Sequence, residues 1–102
     1  MGVTLSHHHG VPLLRLIRPG CYEHWCAGCG EPHRLEIGAR MPSGERVGFD
    51  GDIYRPSFEP EIVHEYGVRL CRYVLRGGWL HFAVDCTHTL AGQSVELPDF
   101  PN

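Results

Sequence analysis

Hydrophobic and polar positions alternate most clearly between Val68 and Cys86, on either side of Gly77-Gly78. Such alternation marks strands with one buried face, and a two-glycine turn closes them into a hairpin. Pairing about that turn sets Leu75 opposite Leu80, Tyr73 opposite Phe82 and Cys71 opposite Val84, and continues to Arg69 opposite Cys86. Cys71, Tyr73, Leu75, Leu80, Phe82, Val84 and Cys86 then share one face, with Cys71 and Cys86 as diagonal neighbours roughly 7–8 Å apart. The opposite face mixes Val68, Leu70, Val74, Trp79 and Ala83 with Arg72, His81 and Asp85, and can lie half against a second layer.

The pattern is shorter elsewhere. Val11 to Ile17 predicts a strand that ends at Pro19-Gly20. Tyr22 to Trp25 and Arg34 to Ile37, with Leu35 and Ile37 on one face, flank a cysteine loop as a hairpin. Met41 to Arg46 reads as a loop. Asp50-Gly51 predicts a second hairpin between Val47–Phe49 and Asp52–Tyr54, because Asp-Gly supplies the positive backbone angles of a two-residue turn. Pro56 and Pro60 bracket Ser57 to Glu59 and predict an extended surface connection outside any central strand. Thr87 is placed to cap one helical turn from His88 to Ala91, stopped by Gly92, and Val95 and Leu97 suit a last edge strand. The whole predicts a mostly β fold, a small α+β variant being the alternative, of short antiparallel hairpins around a zinc-ribbon-like Cys-x-x-Cys loop. Residues 1–10, with His7-His8-His9, lack periodicity and read as a flexible tail ahead of one domain over residues 11–102.

Composition sharpens this picture. A chain of 102 residues has room for one core, and 13 glycines with 8 prolines favour turns and short strands. Nine basic against 12 acidic side chains, a net charge of −3, argue against a general nucleic-acid binder. No apolar run approaches the roughly 20 residues of a membrane span, and no export signal is evident, so a cytoplasmic location is expected. In that compartment five cysteines read as metal ligands rather than disulfides.

The candidate chemistry starts at Cys26-Ala27-Gly28-Cys29-Gly30. Two cysteines three apart, followed by glycine, form a tight loop whose amides can point at both sulfurs and stabilise them as thiolates on Zn2+. The remaining ligands must come from far along the chain, with Cys86, Cys71 and His88 preferred in that order. His33 is a weaker substitute and reads as a solvated imidazole at a hairpin edge. Cys21 reads as a packed thiol, and His24, His64 and His81 as ordinary surface or satisfied histidines. Catalytic signatures fail one by one: His64-Glu65-Tyr66-Gly67-Val68 lacks the second histidine of a zinc protease helix, and no deaminase, nucleophile-elbow or dinucleotide motif is present. Asp85 beside Cys86 and His88 could act as a base at an open zinc position, although its plainer role is to accept a hydrogen bond from a ligand or cap a turn.

Cys-Ala-Gly-Cys-Gly-Glu-Pro-His at 26–33, Phe-Asp-Gly at 49–51, Arg-Pro-Ser-Phe-Glu-Pro at 55–60 and Asp-Cys-Thr-His-Thr-Leu-Ala-Gly-Gln at 85–93 occur in one order. In these motifs the chain resembles a family of small phage, prophage and bacterial proteins often labelled "ammonia monooxygenase", some from operons with ubiquitin-like components. The resemblance spans roughly residues 22 to 100 and implies metal binding, with Cys26, Cys29, Cys71, Cys86 and His88 at matching positions. It departs at Cys71-Arg72, where relatives usually show Cys-His, which favours Cys86 or His88 as fourth ligand and weakens an enzymatic reading.

Together these readings predict a zinc-stabilised phage-type accessory module that binds another protein through Arg55 to Phe58 and the Trp79 face, with inhibition of a host or defence component as the narrower form of that role. Two other classes compete. One is a zinc hydrolase using Asp85 and His88; the other is a nucleic-acid-binding ribbon that gathers Arg34, Arg40, Arg46, Arg55, Arg69, Arg72 and Arg76 on one surface.

Overall fold

In a computed structural model that describes residues 11–101, the chain folds into two antiparallel sheets, with no helix among the described residues. The N-terminal tail with its three histidines lies outside the described residues. The first sheet has the order β1-β2-β3, from β1 (Arg15–Arg18), β2 (Cys21–Cys26) and β3 (Glu31–Glu36). The second has the order β4-β5-β6-β7-β8, from β4 (Gly48–Phe49), β5 (Phe58–Tyr66), β6 (Arg69–Arg76), β7 (Trp79–Phe82) and β8 (Ser94–Glu96). The mostly β expectation holds, and no described helix is long and apolar enough to cross a membrane.

The β6–β7 hairpin forms in the register that Gly77-Gly78 dictates, with Tyr73 opposite Phe82 and Leu75 opposite Leu80. All four side chains are buried, and each removes enough apolar surface from water to be worth about 1.5–3 kcal/mol. The pairing stops at Phe82. Ala83 N–H still donates to Arg72 O, but Leu70 O is met by Thr87 N–H, so two extra residues bulge out between these bonds. Val84 is expelled and stands 85% exposed rather than facing the core. No helical turn follows; Thr87 Oγ1 accepts from Leu70 N–H on β6 instead of capping one.

Two other expectations are corrected. Asp50-Gly51 does not close a hairpin, because β4 pairs with β5 and residues 50–57 loop between them. Asp50 Oδ1 accepts from Asp52 and Ser57 N–H, while Asp52 Oδ1 accepts from Tyr54 and Arg55 N–H; the carboxylates fold the segment on itself. The Pro56–Pro60 stretch is not a surface connection throughout. Phe58 starts β5 and is 1% exposed, and Pro60 is accommodated within the strand where the β5–β6 register shifts between Phe58 and Ile62. The longest strand of the larger sheet therefore runs through this proline.

Side chains rather than strand pairing join the sheets. Leu13, Leu14, Leu35, Val47, Phe58, Ile62, Tyr73, Leu75, Leu80 and Leu97 belong to one buried cluster that also contains Cys26, Cys71 and Cys86. At one end of it, Tyr22 of the smaller sheet meets Phe49 of the larger at 5.1 Å between ring centres. Further along, the aliphatic layer gives way to histidine, tyrosine and cysteine.

Candidate metal centre

Alternation on β2 turns His24 and Cys26 inward, and on β3 it turns His33 and Leu35 inward; Cys21, of the other parity, is also buried. Cys26 ends β2 and Cys29 lies in the turn to β3, where Gly30 N–H donates to Cys26 O and Cys29 N–H points at Cys26 Sγ at 3.4 Å. From the larger sheet, β6 brings Cys71 Sγ to 3.8 Å from Cys26 Sγ. The bulge after β7 swings the chain so that His88 Nε2 stands 3.5 Å from Cys71 Sγ. The donor atoms of Cys26, Cys29, Cys71 and His88 all lie within 4.8 Å of one another, a group that could hold a metal ion.

Cys86, preferred from the sequence, is not in this group. The two-residue bulge lays its thiol along the β6 backbone, where Sγ–H donates to Arg72 O at 3.1 Å and Sγ accepts from Arg72 N–H at 3.2 Å. A regular strand would have kept Cys86 on the Cys71 face, and the bulge hands that position to His88.

The His88 ring is seated by two contacts. Leu90 N–H donates to Nδ1 at 3.2 Å, and the ring lies on Gly28, where an added Cβ would come within 2.3 Å of Cε1. With the Nδ1 lone pair taken, the neutral ring carries its proton on Nε2, toward Cys71. A metal at Nε2 displaces that proton, and the Leu90 contact then has to open.

The thiols do not titrate independently. Cys26 is held well below the ordinary thiol range, chiefly by the Cys71 thiol beside it and further by His33 and the Cys29 amide, against the opposing effect of burial. Cys71 is pushed far up by the same contact and by burial, and Cys29 is raised by burial and by the Cys26 charge. One proton is in effect shared by Cys26 and Cys71, and a divalent cation would replace it.

Next to the sulfurs lies a polar layer whose histidines the sequence reading placed in solvent (His33) or took as surface or satisfied (His24, His64). His24 and His33 are 0% and 1% exposed, and His33 stacks on His64 at 3.9 Å between ring centres. His24 Nδ1 can only donate to Trp25 O, so Nε2 accepts from the Tyr73 hydroxyl at 2.7 Å, and Tyr73 in turn accepts from His64 Nε2–H at 3.3 Å. Both nitrogens of His33 are buried without a partner. The one signal available was the alternation itself, which, with His24 opposite His33, puts residues 24, 26, 33 and 35 on one face of the smaller sheet.

Two predictions arise here. Tyr73→Phe removes the only group that satisfies His24 Nε2 and is expected to cost about 1–3 kcal/mol in urea unfolding, more than a surface Tyr→Phe change. Burial also lowers the pKa of His24 and of His64 to about 4. Both are neutral when folded, whereas the unfolded chain takes up protons near pH 6.5. Stability from these groups is present above pH 6.5 and is lost as pH falls toward 4, with His24 contributing roughly 3 kcal/mol. Imidazole proton shifts followed by NMR should show no His24 titration until about pH 4; a midpoint near 6.5 would contradict the buried, neutral assignment.

Fold and group together define an antiparallel β protein with a Cys3His set, drawn from two sheets, that could hold a metal ion. Comparisons with protein-family models, curated proteins and solved structures find no match.

Proposed function

We propose that Cys26, Cys29, Cys71 and His88 bind one zinc ion with four protein ligands, and that the zinc-clamped β scaffold is a protein-binding module. The observation that carries this is the spacing of the donors. A tetrahedral zinc site has edges of about 3.8 Å between thiolates and about 3.6 Å between a thiolate and an imidazole. Cys26 to Cys71 is 3.8 Å and Cys71 to His88 is 3.5 Å. Three thiolates and one imidazole suit zinc over the harder, oxygen-seeking cations. When bound, the ion supplies a cross-link between the two sheets.

A closed ligand set favours a structural role over hydrolysis. Asp85, the candidate base, pairs with Arg72 at 3.1 Å on the surface. Three of the seven candidate arginines already face carboxylates, which speaks against the nucleic-acid reading: Arg34 faces Glu23, Arg69 faces Glu31, and Arg72 faces Glu61 and Asp85. The docking surface we propose is the cleft of about 230 Å³ beside the metal group, lined in part by Tyr66, Val68, Arg69 and Leu70. Val68 is 94% exposed and Tyr66 46% exposed there. Phe58 is buried and cannot contribute, so the contact expected at Arg55 to Phe58 narrows to Arg55. A phage-type accessory role, with inhibition of a host component, is the biological setting the sequence resemblance suggests.

Elemental analysis with X-ray absorption tests the clamp. One zinc per chain with three sulfurs and one nitrogen is expected, retained in Cys86→Ala and weakened in His88→Ala. Three protein ligands plus water would instead favour the hydrolase. Capture of a host protein by wild type but not by Val68→Glu tests the surface.

A further inference from the structure

We propose that Cys26 and Cys71 are a peroxide-oxidised disulfide site through which the metal group is reversibly dismantled. The consequence for the metal rests on the zinc reading above, while the bond itself needs only the two sulfurs. They face each other across the two sheets at 3.8 Å, 45 residues apart in the chain. The neighbouring cleft is lined by Cys29, Cys71 and His88 but not by Cys26, so it is the side from which a small oxidant approaches Cys71, itself 1% exposed. Cys26 is 0% exposed and is the sulfur placed to resolve the first product. Of the three other thiols, Cys86 is bonded on both sides to the Arg72 peptide and Cys21 is 2% exposed on another part of β2, so both are out of play; Cys29, which lines the same cleft, is the competitor that a peptide map distinguishes.

The chemistry balances with hydrogen peroxide as the oxidant. Cys71 gives its proton to solvent and attacks one peroxide oxygen as the thiolate; an S–O bond forms, the O–O bond breaks and hydroxide leaves, which gives a sulfenic acid. Cys26 thiolate then attacks that sulfur; the S–S bond forms and the S–O bond breaks with loss of a second hydroxide. Two solvent protons convert both hydroxides to water. The sulfurs lose two electrons, the peroxide gains two, and the cation departs unchanged in charge. Closing from 3.8 Å to a bond of about 2.0 Å asks for modest movement of two strand residues.

The new link keeps β2 tied to β6, yet it releases Cys29 and His88. Those two residues carry the turn after β2 and the loop after β7, which border the cleft with Tyr66 and Val68. Oxidation thus remodels one face while the core stays stapled, and a thiol reductant with fresh metal restores it.

The experiment adds hydrogen peroxide to the purified full chain after its metal content has been measured. Expected are loss of two thiols, a mass two hydrogens lower, a Cys26–Cys71 link in the peptide map, release of the metal in step, and the same course in a Cys21→Ser, Cys86→Ser double variant. A Cys26–Cys29 link, oxygen addition with no link, or prior consumption of Cys86 would overturn the proposal. If the chain proves to hold no metal, the zinc reading fails by that measurement alone, and formation or absence of the Cys26–Cys71 link still decides this one.

Discussion

Stripping the metal from the loaded protein is expected to free the smaller sheet from the larger while leaving much of the larger sheet paired. Between the strands of the two sheets there is no backbone ladder; what joins them is the side-chain layer, the Cys3His group, and the backbone bonds of Val47 to Gly38 and Ala39 in the connection from β3 to β4. Structural zinc sites carry apparent binding free energies of about 10–16 kcal/mol, comparable with the 5–15 kcal/mol that keeps a whole domain folded. Without the ion, three sulfurs and an imidazole crowd within 4.8 Å, and the buried thiols must take up protons. The β6–β7 hairpin has Tyr73, Leu75, Leu80 and Phe82 for its own support, whereas β2 and β3 offer chiefly Leu35 and two buried histidines. Hydrogen exchange should therefore accelerate by orders of magnitude over 21–36 on chelation, and far less over 73–82. Uniform protection before and after chelation would show that the cross-link is not what orders these strands.

How much of this was legible in the sequence depended on whether local rules or a long-range accident decided each element. Gly77-Gly78 and strict alternation specify the central hairpin locally, and its register follows residue for residue. Cys26 and Cys29 were equally legible, since their spacing and Gly30 define a turn within a few residues. Asp50-Gly51 has a hairpin signature, but Asp50 and Asp52 spend their carboxylates on nearby amides, and no apolar alternation follows to compete with them. The choice between Cys86 and His88 turned on a bulge of two residues after Ala83, which leaves Cys86 buried but shifts it along β6 to the Arg72 peptide, so that His88 comes to Cys71 in its place. His33 was misread, and the burial of His24 stayed undecided, for another reason. Imidazole is seldom counted as core, yet a neutral ring that can donate to Trp25 O and accept from Tyr73 is cheap to bury.

The sharpest single substitution is Gly28→Ala, expected to weaken metal binding more than the roughly 10–100-fold loss typical of outer partners of a metal ligand. Its Cβ would fall 2.3 Å from Cε1, 2.4 Å from Nε2 and 2.6 Å from Nδ1 of His88, so the ring has to leave its place. Nε2 then moves off its 3.5 Å approach to Cys71, and the set drops from four donors toward three. Backbone strain is not the cause, because Gly28 is absent from the glycines with positive φ. Gly30 provides the contrast: its φ is +67° and nothing lies within 4 Å of an added Cβ, so Gly30→Ala should cost about 1 kcal/mol of folding stability and leave affinity nearly intact. Chelator competition on Gly28→Ala, His88→Ala and the double variant measures the coupling directly. Once His88 is an alanine, the extra methyl at residue 28 has little left to displace, and its effect on affinity should shrink to almost nothing. Full additivity of the two changes would mean that Gly28 acts on the metal group by some route other than the imidazole it supports.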